Sequence, residues 1–236
     1  MLLEVRSVSV AFGGLKALDD VSFSLDEGDV LGVIGPNGAG KTTLLNVISA
    51  HIAPNSGDVV FDGVSIKNVA PHVVARRRLA RSFQDTQAFP SLSVHETFIA
   101  GALHGRSLTQ ARKEADRLVE MLGLVSKVNK PQGSLSLPDR KLVEFGKCMA
   151  MKPKLMLLDE VMAGLTMGEA EGPLELIQDL REKDGVSFVL IEHVMPVVMR
   201  VASRLVVLDF GQLIVDGGPA EVVADQRVRA SYLGGK

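Results

Sequence analysis

The sequence predicts an α/β fold. A mainly parallel sheet is covered by helices on both faces, with an antiparallel β region at the N-terminal end and an inserted α-helical subdomain. Three observations lead there. Short, near-continuous apolar runs occur at DVLGVI (Asp29–Ile34), LMLLD (Leu155–Asp159), VSFVLIE (Val186–Glu192) and RLVVLDF (Arg204–Phe210). Such runs read as strands buried on both faces. From Leu155 onward, stretches of helical spacing separate them, and strand–helix alternation makes parallel crossover units. The chain has 236 residues, 46% hydrophobic and 23% charged, enough for one large domain or a core with a smaller subdomain.

Each element follows from its own pattern. Leu2–Phe12 and VSFSL from Val21 alternate, as half-buried strands do. Lys41–Ala50 has helical spacing, and Asp58–Ile66 reads as a hairpin turning at Asp62-Gly63. A helix is expected over Val73–Leu79. After Phe83-Gln84 the character changes: Val94–Leu103 and Leu108–Leu122 read as helices, and Lys130–Ser134 is a Pro/Gly break. SLSLPDRKLVEFG (Ser134–Gly146) opens another helix. Ser136 suits an N-cap, Pro138 tolerates a first-turn position, and Asp139 stands at capping-box-like spacing. Helices are then expected at Glu169–Lys183 and Pro196–Ala202, with QLIVDGG after the last buried strand. The division that results is a single domain over 1–236. Its core is 1–84 with 147–236, and its helical subdomain is 85–146.

Composition excludes several classes of function. The net charge of −2 offers no broad basic surface, so no nucleic-acid partner is expected. The single cysteine, Cys148, rules out an internal disulfide framework and fits a reducing compartment. MLLEVRSVSV carries Glu4 and lacks a long apolar run, so it does not read as a signal peptide. No stretch approaches the roughly 18 apolar residues of a membrane span, so a membrane role has to run through a partner.

GPNGAGKTT (Gly35–Thr43) matches G-x-x-x-x-G-K-[ST], with a strand before it and a helix after it. The glycines let backbone N–H groups turn toward phosphate oxygens, and the helix N-terminus adds its positive dipole end. Lys41 can reach β- and γ-phosphates, and the Thr42 hydroxyl can ligate Mg²⁺. The plainer alternative is a Gly-rich strand-to-helix turn. Asp159 ends a buried strand at the sheet edge where ligands bind. It can hold Mg²⁺, and Glu160 can polarise an attacking water; alternatively the two are solvated loop carboxylates. His193 ends the next strand at the same edge, where it can donate to a γ-phosphate. Gln84 follows the short strand RSFQ. Its neutral amide can touch Mg²⁺ and water, although spacing alone favours an ordinary strand-end Gln.

Together these residues resemble an ATP-binding-cassette (ABC) transporter ATPase, in the family's motif order and over essentially the whole chain. The resemblance implies a P-loop NTPase (RecA-like) core that binds and hydrolyses ATP with Mg²⁺. It makes Phe12 the aromatic that stacks on adenine and Gly35, Pro36, Asn37, Gly38, Ala39, Gly40, Lys41, Thr42 and Thr43 the Walker A loop. It makes Gln84 the glutamine loop, Asp159 the Walker B aspartate beside catalytic Glu160, and His193 the switch histidine. LMLLDEVMAGL, IEHVM and VRASYLGG are similar to the branched-chain (hydrophobic) amino-acid importer ATPases. Importers of urea, amides or aromatic acids, and lipid-type exporters, share such text. The implied partners are a second ABC ATPase subunit, identical or different, integral membrane permeases, and indirectly a periplasmic substrate-binding protein. The implied location is cytoplasmic, peripheral on the inner face of the cell membrane. Phe89, Pro90 and Leu92 could receive a permease helix, or belong to the subdomain core.

Two motifs depart from the family. The signature LSGGQ is replaced by Leu135, Ser136, Leu137, Pro138 and Asp139, and Thr166 stands where an Asp usually closes the loop after Walker B. In the family the signature binds the partner's γ-phosphate. Pro138 has no N–H to give it, and Asp139 brings negative charge toward phosphate unless it caps its own helix. Losing one oriented donor costs about 2.7–4 kcal/mol in acyl-transfer sites. Beside a different subunit these departures would weaken the partner's site rather than the one built on Lys41 and Glu160; in a homodimer both sites would suffer. They also leave open a regulatory cassette that does not turn over.

Overall fold

The computed structural model describes residues 1–83 and 89–233, with 232 and 233 described by backbone alone. Gln84 lies outside the described residues. The parallel sheet has the order β10-β9-β3-β8-β7-β6. Its strands are β3 (Val30–Ile34), β6 (Leu79–Arg81), β7 (Leu155–Asp159), β8 (Ser187–Ile191), β9 (Arg204–Asp209) and β10 (Gln212–Gly217). Only the edge strand β10 runs antiparallel. A second, antiparallel sheet has the order β2-β1-β4-β5, from β1 (Leu3–Phe12), β2 (Leu15–Leu25), β4 (Ser56–Phe61) and β5 (Val64–Ser65). The β4–β5 turn is at Asp62 and Gly63, both in the left-handed region (φ 51° and 73°), as a two-residue hairpin loop requires.

Strand alternation divides the molecule into faces. Leu155 and Leu157 of β7, and Val189 and Ile191 of β8, pack with β1, β2 and helix α1 (Lys41–Ile48) in a core between the sheets. Met156, Leu158, Phe188 and Leu190 point the other way. There they meet α3 (Val94–Ala102), α4 (Leu108–Met121), α5 (Leu137–Ala150) and α6 (Met167–Asp184). Phe98, Phe145 and Phe188 are wholly buried in this second core, each worth about 1.5–3 kcal/mol. Ser93 with Glu96, and Ser107 with Gln110, close capping boxes that start α3 and α4. Helix α5 runs through the 146/147 division without a break and ends at Ala150.

Two segments differ from the sequence expectation. The helix expected over Val73–Leu79 is α2, Pro71–Arg76, with Pro71 in its first turn. The chain then reverses at Arg78, in the left-handed region (φ 70°), and Leu79 begins edge strand β6 beside Leu155. Pairing with β7 buries Leu79, and that long-range gain overrides the local helical spacing. At the other end, α8 (Pro219–Ala224) and α9 (Gln226–Leu233) are helices that the sequence pattern did not mark. Val222 and Val228 from them cover Leu205 and Val207. Between β8 and β9 lies α7 (Met195–Val201).

Candidate nucleotide site

The site is at the C-terminal ends of β3, β7 and β8. Strand β3 is buried at every position and ends where Gly35 turns the chain into the loop. Gly35 has φ 151°, and a Cβ there would lie 2.1 Å from the Leu208 carbonyl oxygen. Gly40, with φ 103°, is the N-cap of α1, and a Cβ there would lie 2.4 Å from the Ala17 carbonyl oxygen. Both positions therefore require glycine. Gly40 provides no side-chain cap, and the first turn of α1 has no acidic residue. The first amides of α1 and its positive dipole end are thus left for an anionic group.

Lys41 Nζ donates to the carbonyl oxygens of Gly35 and Pro36, each at 2.8 Å. Lys41 is buried, which holds its ammonium below the usual lysine range; Glu160 and Asp159 oppose that shift. An open hollow of about 780 Å³ lies over the loop. Asn37, Gly38, Ala39, Gly40, Lys41, Thr42 and Thr43 form its floor, with Phe12, Glu160, His193 and Phe210 around it. Ser136, Leu137, Pro138 and Asp139 do not line it. They start α5, where Ser136 is the N-cap.

Glu160 sits in the left-handed region (φ 51°), and its N–H donates to Ile191 O at 3.0 Å. This bond ties the end of β7 to the end of β8. It brings Glu160 Oε1 to 2.7 Å from His193 Nε2. Lys141 of α5 donates to the Glu160 carbonyl oxygen at 2.8 Å. Asp159 lies beneath, buried on the α1 side of β7, with Arg81 at 3.5 Å. Burial raises the Asp159 carboxyl above its ordinary value, and Arg81 opposes this.

Three further residues bear on the site. Phe210, 87% exposed in the turn between β9 and β10, faces the hollow with Phe12. A large apolar side chain before a turn Gly, in LDFGQ, was its only signal. Arg81 is the buried counter-ion of Asp159. Glu192 directly follows β8, one residue before His193. Its Oε1 accepts from the Met162 N–H at 2.7 Å, joining β8 to the loop after β7. Its Oε2 has no partner among the described residues.

Burial pushes the Glu192 carboxyl up to about 7, against the Met162 amide and Lys141. Its unfolded value is near 4.5. A raised folded pKa means the stabilising contribution is complete below pH 4.5 and lost as pH rises through about 7. Glu192→Gln is therefore expected to gain stability relative to the parent as pH increases from 5 to 8. The gain should reach no more than about 3 kcal/mol. Urea unfolding of both proteins across that range measures it, and parallel curves would refute the assignment.

A family model described as "ABC transporter" matches residues 18–163. The chain belongs to the ABC transporter family. A second model, "Branched-chain amino acid ATP-binding cassette transporter", matches residues 212–236 of the cassette. Among similar proteins is the high-affinity branched-chain amino acid transport ATP-binding protein BraF of Pseudomonas aeruginosa. It is 32% identical over 249 residues, which cover 99% of this chain and 98% of that protein. The corresponding LivG protein of Escherichia coli K12 is 31% identical, with the same coverage. Among solved structures, a nucleotide-free ATP-binding cassette from an ABC transporter has a TM-score of 0.89 at 30% identity, covering 98% of each chain. Another such cassette, in its ADP conformation, has a TM-score of 0.88 at 31% identity. That match covers 99% of this chain and 98% of the other. The cassette is thus an ATP-binding subunit of an ABC transporter, from a family of ATPases.

Proposed function

We propose that the cassette binds Mg²⁺·ATP and hydrolyses it to drive import of branched-chain or other hydrophobic amino acids through permease subunits. The observation that carries this reading is the hollow that unites an uncapped α1 N-terminus, Lys41, Glu160 and His193 above buried Asp159. The names of its relatives support the substrate class.

The loop amides and Lys41 bind the phosphates, and Phe12 and Phe210 flank the space left for the base. Oxygen donors suit Mg²⁺, and Thr42, Asp159 and Gln84 would hold it. When bound, the ion neutralises charge on the β- and γ-phosphates. Glu160 takes a proton from a water whose oxygen bonds to the γ-phosphorus, while the bond to the β–γ bridging oxygen breaks and ADP leaves. His193 orients Glu160 and contacts the γ-phosphate. Counting phosphate released by the purified cassette with and without Mg²⁺ tests this; phosphate release independent of Mg²⁺ would reject it.

A second cassette would supply the other half of a dimeric transporter. At the start of α5, Asp139 turns back on its own helix. Its Oδ2 accepts from Ser136 Oγ and its Oδ1 from Lys127 Nζ, both at 2.6 Å. Burial works against ionisation of Asp139, but Lys127 and Ser136 outweigh it and hold its carboxyl below the ordinary range. Its charge is thus balanced within the chain. Pro138 still offers no N–H, which supports a partner site slower than the one on this chain.

A permease would dock at the groove of about 280 Å³ lined by His51, His72, Phe83 and Lys147. Phe83 and Phe89 are 41% and 46% exposed beside it. Among the described residues no helix is long and apolar enough to cross a membrane. The cassette would then be held at the inner face of the membrane by the permeases.

A further inference from the structure

Arg81 connects the buried Asp159 to this groove. It stands at the end of β6, and its Nη2 lies 3.5 Å from Asp159 Oδ2, with both side chains about 5–6% exposed. Its Nη1 donates to Asn46 Oδ1 at 2.7 Å and to Ser49 Oγ at 2.8 Å. Ser49 Oγ lies 2.9 Å from His51 Nδ1. The guanidinium carbon stands 5.0 Å from the Phe83 ring centre, and Phe83 meets the His51 ring edge-on at 5.7 Å. His51 and Phe83 line the groove.

The guanidinium is held at one end by short bonds to α1, but its contact with Asp159 is long. Its Nε has no partner among the described residues. A cation at Asp159 would satisfy that carboxylate and repel Arg81 together. The planar guanidinium also bonds Asn46 and Ser49 and stacks on Phe83, so any shift is felt by the groove residues.

We propose that Arg81 is a positioning residue that holds Asp159 in place before the cation arrives, and that its displacement is passed through Ser49, His51 and Phe83 to the groove. The inference rests on the reading of Asp159 as a Mg²⁺ ligand. It goes beyond that reading by giving the groove a direct side-chain link to the metal position.

The test places an environment-sensitive fluorophore on His72→Cys in the full chain. Cys148 is buried, and burial raises its thiol pKa, so labelling is selective. Mg²⁺ with the β,γ-imido analogue of ATP is then added, and nucleotide binding is measured separately by equilibrium dialysis. The parent is expected to show an emission change. Arg81→Gln should bind the analogue within about threefold of the parent but keep less than a third of that change, and Arg81→Lys should recover part of it. Ser49→Ala, which breaks the link while sparing Asp159, should lose the change too and serves if Arg81→Gln does not fold. A full change in either variant, or none in the parent, overturns the relay. Asp159→Asn separates the two claims: if it leaves the Mg²⁺ dependence of analogue binding unaltered, the metal reading fails whatever Arg81 does.

Discussion

Lys41→Ala is expected to weaken ATP binding about a hundredfold, with the unfolding midpoint in the absence of nucleotide serving as a control for the fold. The ammonium carries three N–H donors, and two of them now go to the Gly35 and Pro36 carbonyls. Phosphate oxygens are stronger acceptors because they are charged. Charge-assisted hydrogen bonds contribute about 1.5–3 kcal/mol each, so losing the lysine costs about 3 kcal/mol, or two decades in Kd. Phosphate would also restore the ammonium that burial disfavours. Competition of ATP against a fluorescent nucleotide measures the loss. An unchanged Kd would mean that Lys41 only braces the loop.

Glu160→Gln should separate binding from chemistry. The amide keeps the size of the carboxylate and a carbonyl oxygen within reach of His193, but it cannot take a proton from water. A general base contributes about 10²–10⁴-fold, so single-turnover phosphate release should fall roughly a thousandfold. ATP affinity should remain within a few-fold, because the loop and Lys41 are untouched. Nucleotide recovered from the variant should be ATP rather than ADP. A variant that loses affinity and turnover in equal measure would make Glu160 a binding residue instead.

The Gly35–Thr43 loop was legible because its conformation is local. Gly35 and Gly40 hold backbone that other residues resist, so the spacing of two glycines and a lysine is enough to mark it. Asp159 and His193 could be placed because one ends an apolar strand and the other follows one by two residues, and parallel strands bring such ends to one edge. Arg81 could not be placed from its neighbours, since its meaning lies in Asp159 on the adjacent strand and Asn46 on α1. Leu79 departs from the helix its spacing predicts for the same reason: its pairing partner is Leu155. Thr166 departs from the family's pattern and has a local role here. Its hydroxyl accepts the Glu169 N–H at 3.3 Å and starts α6. Asp139 could be read as a cap from its spacing, but the neutralising Lys127 could not, because it stands 12 residues earlier in a short 3-10 helix after α4.

With a different cassette as partner, the nucleotide site on this chain is expected to hydrolyse ATP while its altered signature limits only the site on its neighbour. The most direct test is the ATPase rate of the assembled transporter carrying Glu160→Gln in this chain alone, with the partner cassette intact. The rate is expected to fall close to the level without Mg²⁺. A rate equal to that of the unmodified transporter would contradict the claim and place turnover on the other cassette.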